Sequence, residues 1–91
     1  MDNFLSNRRS DEQLEAILYE TSHWAVNGRQ GQVLCYAASL RQAIDRAEKF
    51  SASGAVVIAI SRLPFDNIVI FVEQIDRLRR CINVRELIPV N

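Results

Sequence analysis

The chain is poor in several things that usually announce a function. Of its 91 residues two are cysteine, two proline, three glycine and one histidine, and its formal net charge is +0. Each shortage excludes something. Cys35 and Cys81 are too few and too far apart for a disulfide framework or a paired zinc motif, so both are read as reduced, Cys35 as a small hydrophobe within a strand. A lone His23 has no second histidine or neighbouring carboxylate in sequence to complete a metal site or orient a catalytic imidazole. Gly28 and Gly31 frame only Gly-Arg-Gln-Gly, too short for a phosphate loop and not followed directly by a helix. The serines at 6, 10, 39, 51 and 53 fit caps and loops, and none lies in a Gly-x-Ser-x-Gly setting. Zero net charge removes a global field that would draw the protein to nucleic acid or an anionic membrane.

Long apolar runs are also missing. No run exceeds the six residues of Ala55 to Ile60, far below the ~20 residues that span a bilayer, and Met1 to Arg9 carries Asp2, Arg8 and Arg9 in place of a leader's apolar centre. These features lead to a cytoplasmic expectation, with no cofactor, metal, small molecule or membrane partner indicated. What is present is a hydrophobic content of 48% beside 24% charged residues, the balance of a folded domain.

The organisation follows from periodicity. Residues 1–9 read as a flexible arm, 10–83 as a single domain and 84–91 as a tail. Ser10 caps a first helix over about 11–21, with Gln13 at the reciprocal capping position and Leu14, Ile17, Leu18 and Thr21 as a narrow apolar stripe. Trp24 and Val26, then Val33, Cys35 and Ala37, alternate with their neighbours around Asn27-Gly28, a strong hairpin signal. Either turn register considered, a tight Asn-Gly turn or a loop over Gly28 to Gly31, places Trp24, Val26, Val33 and Cys35 on one face.

Ser39 opens a second helix, with Leu40, Ile44 and Ala47 inward and Gly54 as its stop. Ala55 to Ser61 is a β-branched run expected to be the central strand. Residues 68–72 read as a fourth strand after a Pro64 to Asn67 turn, followed by a third helix from about Glu73 to Cys81 with Asn83 as C-cap. The expected fold is α+β, a helix followed by two strand-strand-helix units (αββαββα), with a four-stranded, mainly antiparallel sheet and helices chiefly on one face. The tripeptide Ile-Asp-Arg at Ile44 to Arg46 and again at Ile75 to Arg77 is too short to establish duplication.

Two functional expectations come from this. Four strands make a sheet about 19 Å wide, which two helices of ~10 Å diameter cover on one side only. The other side, if the first helix does not cross it, is apolar, and such a face marks an interface. The first expectation is therefore a protein-interaction module, a homodimer or the binder of another protein, using Leu34, Tyr36, Ile58 and Ile70, and not an enzyme. The alternative is a nucleic-acid-binding accessory protein using Arg77, Arg79, Arg80 and Arg85 at the end of the last helix, in a chain where ten of eleven cations are arginine. A third candidate, an enzyme acting through His23 in a pocket formed on assembly, has only that residue to nominate.

Overall fold

The computed structural model describes residues 8–64 and 67–87. Among them the chain forms α1 (Asp11–Ala16), β1 (His23–Asn27), β2 (Val33–Ala37), α2 (Leu40–Ala52), β3 (Ala59–Leu63), β4 (Ile68–Phe71) and α3 (Val72–Leu87). The four strands make one sheet in the order β2-β1-β3-β4, antiparallel throughout. The αββαββα order and the one-sided placement of the helices agree with the expectation. Most of the arm at 1–9 and half of the tail at 84–91 lie outside the described residues, as do Phe65 and Asp66 of the β3–β4 turn.

Local chemistry sets the helix starts. Ser10 accepts from the Gln13 N–H while the Gln13 side chain accepts from the Ser10 N–H, closing a capping box. Ser39 accepts from the Gln42 N–H, but the Gln42 side chain reaches the Ala38 N–H at 2.7 Å and not the cap residue itself. Gly54, at φ 97, supplies the left-handed turn that ends α2.

The helices differ in length from the sequence reading for tertiary reasons. α1 stops at Ala16, and the Leu18 carbonyl turns away to accept from the Arg41 N–H at the head of α2, a bond that a continued helix would forbid. α3 runs on to Leu87, beyond the cap expected at Asn83, because its last turns are held by residues far away in sequence. Arg85 pairs with Glu15 at 2.8 Å, and Glu86 is clasped by Arg41. Arg8 and Arg9, assigned to the arm, are engaged: the Arg8 guanidinium lies 5.1 Å from the Phe71 ring centroid, and the Arg9 carbonyl accepts from the buried Gln74 amide at 2.7 Å. The same Gln74 amide donates to Asp11, fastening the head of α1 to α3.

One core lies between the sheet and the helices, built from Leu14, Leu18, Trp24, Val26, Leu40, Ile44, Ile60, Ile70, Leu78 and Ile82. α1 contributes Leu14, and the turn that follows it Leu18, to this same core. It therefore packs beside α3 and leaves the second sheet face alone.

The Glu86 clasp has a measurable consequence. Arg41 donates to both carboxylate oxygens, at 2.9 and 3.0 Å, and the Tyr19 hydroxyl donates at 2.9 Å. Arg41 first, and then Tyr19, hold the Glu86 carboxyl down at about 2 against an ordinary 4.5. Asp11 is lowered in the same sense, first by its Arg77 hydrogen bond and then by Gln74. Since these folded-state values lie below the unfolded ones, the stabilisation is complete above the ordinary value and is lost as pH falls from about 4.5 toward 2. Thermal melting should decline across that window, and Glu86→Gln should melt lower at neutral pH with a shallower acid decline. Both effects should be modest and reduced by salt, because the groups are exposed. Parallel acid limbs for the two proteins would refute the clasp.

Candidate functional site

The face away from the helices is set by pairing register. Trp24 opposes Ala37 and Arg62, Val26 opposes Cys35 and Ile60, and Ile60 opposes Ile70, so these positions share the covered face. Ala25 opposes Tyr36 and Ser61, Ser61 opposes Val69, and Ala59 opposes Phe71, which assigns those positions to the open one. The central strands supply small side chains, Ala25, Ala59 and Ser61, while the outer strands supply Tyr36, Val69 and Phe71. The result is a shallow trough. One concavity of about 350 Å³ is lined by Ala25, Asn27, Val33, Tyr36, Ile58 and Leu63 among others, and Ile58 also borders a second depression beside Phe71.

The four expected interface residues divide between the faces. Tyr36, 51% exposed, and Ile58, 42% exposed, border the trough together. Ile70 is 0% exposed in the core, and its assignment to the interface is corrected: its partner Ile60 faces the helices, so Ile70 must as well. Leu34 is corrected too. The register shifts between Val26 and Asn27, where Asn27 opposes Val33 and leaves Leu34 as the extra residue of a bulge. The bulge turns Leu34 toward the core and over Gly28, where a Cβ would stand 3.3 Å from its side chain.

Val33 takes the outward position, 42% exposed and beside Tyr36 in the trough, against the expectation that it shares the Trp24 face. The hairpin adopts neither register considered in the sequence. Arg29 to Gly31 form a short 3₁₀ turn with Gln30 at φ 57, and the Gly28 N–H donates to the Gln32 carbonyl at 2.7 Å.

His23 stacks on Tyr36 with ring centroids 5.2 Å apart and planes 17° from parallel, at the rim of the trough. Cys35 opposes Val26 on the other face, so the two do not meet. Among the described residues one polar link crosses the trough, joining Asn27 to Ser61, the amide donating to the hydroxyl at 2.8 Å. The sequence marks Asn27 only as a hairpin residue and Ser61 only as the end of a strand, and the pairing register is what brings them together.

Charge is segregated. All the ion pairs among the described residues join helix to helix or lie within one: Arg77–Asp11, Arg85–Glu15, Arg79–Glu48, Arg41–Glu86 and Lys49–Asp45. None of the residues lining the main concavity is an Asp, Glu, Lys or Arg. Arg8 and Glu73 appear only at the β4 margin.

The same pairs bear on the arginine cluster. Arg77 is held by Asp11 through two bonds, Arg85 by Glu15, and Arg79 by Glu48 and the Ile44 carbonyl at 2.8 Å. Three of the four candidate phosphate contacts are thus neutralised by carboxylates, and Arg80 stays exposed without an ion pair among the described residues.

Among the described residues no group of three or more His, Cys, Asp or Glu side chains could hold a metal ion, and no helix is long and apolar enough to cross a membrane. No family model, curated protein or solved structure matches the chain.

Proposed function

We propose that the protein is a small cytoplasmic interaction module that pairs with a second copy of itself through the open sheet face. The observation that carries this is the segregation of charge: the helical layer bears the ion pairs, while the main concavity of the trough bears Val33, Tyr36, Ile58 and Leu63 with no Asp, Glu, Lys or Arg among its lining, and Arg8 and Glu73 stand only at the β4 margin. A two-fold pairing sets the patch against a copy of itself, residue i on j and j on i, so a patch of one charge sign repels itself and an uncharged apolar one does not. A second copy is therefore the occupant this face suits. Cys35 and Cys81 are both free, as suits a reducing compartment.

Area limits the strength of the pairing. Four strands at ~4.8 Å and five residues at ~3.3 Å give a face of roughly 300 Å² in projection, whereas standard interfaces bury about 800 Å² on each partner. The association should accordingly be concentration-dependent. Sedimentation equilibrium over a wide concentration range is expected to give a monomer–dimer equilibrium that changes little between low and high salt, since no ion pair crosses the trough. A monomer at every concentration would overturn the proposal, and a dimer that dissolves in salt would move the contact to the helical layer.

A further inference from the structure

Among the described residues the trough contains, besides the unbonded Tyr36 hydroxyl, a carboxamide that its own chain leaves half-bonded. Asn27 donates one amide hydrogen to Ser61 Oγ at 2.8 Å, and its Oδ1 and remaining N–H have no hydrogen-bond partner among the described residues. Ser61 is itself buried, and both residues border the concavity beside Tyr36 and Ile58. Covering this face would strip water from the free half of the carboxamide, which then needs a partner that both donates and accepts.

A second Asn27 meets that requirement. Two carboxamides across a two-fold axis exchange N–H···O bonds reciprocally, each acting as donor and acceptor, and the Ser61 bond orients the group beforehand. Apolar side chains on a sheet face define a surface but tolerate sliding, whereas a buried polar pair is satisfied in one alignment only, the way a single asparagine fixes register in a coiled coil. Resting on the self-pairing reading, we propose that Asn27, braced by Ser61, is the register-fixing contact of the paired face, bonded to Asn27 of the second copy.

The test compares wild type, Asn27→Asp and Asn27→Leu by sedimentation equilibrium, with folding checked by thermal melting and the amide NMR spectrum recorded for each. Asn27→Asp keeps the size of the side chain and can accept from the Ser61 hydroxyl, reversing the direction of that bond, but sets two carboxylates face to face. Its dissociation constant should rise about tenfold or more at neutral pH and recover as acid protonates the pair. Asn27→Leu should still dimerise yet give multiple or broadened signals for Tyr36 and Ile58, because the register is no longer fixed. A dimeric wild type with an equally tight Asn27→Asp variant, or a sharp single spectrum for Asn27→Leu, would overturn the role of Asn27 and leave self-pairing standing. A monomeric wild type would overturn both.

Discussion

Replacing Tyr36 with glutamate is expected to weaken self-association by roughly 100-fold, about 2.7 kcal/mol, while leaving the fold intact. Tyr36 is 51% exposed on an edge strand, and within its own chain it has a stacked partner in His23 and a backbone carbonyl bonded by Arg46. Removing the ring therefore costs the monomer about 0.5–1.5 kcal/mol of aromatic pairing, and the Arg46 bond to the backbone survives. In the dimer the change acts twice. A large amphipathic anchor is lost, and a carboxylate enters a concavity lined by no Lys or Arg.

Gln32→Glu, in the exposed hairpin loop, introduces the same charge outside the trough and should leave the association constant unchanged. Sedimentation equilibrium of both variants at equal ionic strength decides the matter. Equal behaviour of the two would remove the sheet face from consideration.

A comparably large effect, on stability this time, separates the two faces of the sheet. Ile70→Ala should destabilise the fold by about 2–5 kcal/mol, because Ile70 is fully buried opposite Ile60 and its loss opens a cavity that the helices cannot close. Ile58→Ala, one residue before β3 and 42% exposed, should cost no more than about 1 kcal/mol. Urea unfolding at a concentration where the protein is monomeric gives both numbers. A lower midpoint with unchanged slope is the expected signature of Ile70→Ala, and a reversal of the order would mean that the strand faces are exchanged.

That reversal is where the sequence was hardest to read. Alternation in Trp24-Ala25-Val26 identified a half-covered strand, and Ser10 with Gln13 located a helix start, because both signals are local. Residues 68–72 read Ile-Val-Ile-Phe-Val, apolar on either parity, so nothing in that stretch says which set faces the helices. Only its pairing with β3 decides. The Val33–Leu34 exchange has the same origin: both are aliphatic, and a one-residue bulge turns one outward and the other inward without altering the pattern. α3 outlasted its expected cap because Arg85 and Glu86 bond residues 70 and 45 positions away. The pairing of Arg77 and Arg85 with Asp11 and Glu15 was hidden for that reason as well, and with it the neutralisation of the arginine cluster. Asn27 and Ser61 stand 34 residues apart, and neither a hairpin asparagine nor a strand-end serine announces the other as its partner.

Trp24, the chain's single tryptophan, lies on the covered face, 1% exposed, with the whole sheet between it and Tyr36. Its indole is thus optically blind to whatever settles on the trough and sensitive to separation of the sheet from its helices. Tryptophan emission should follow unfolding while remaining indifferent to dilution across the dimer transition, giving an intrinsic probe in which loss of the partner and loss of the fold are separate signals.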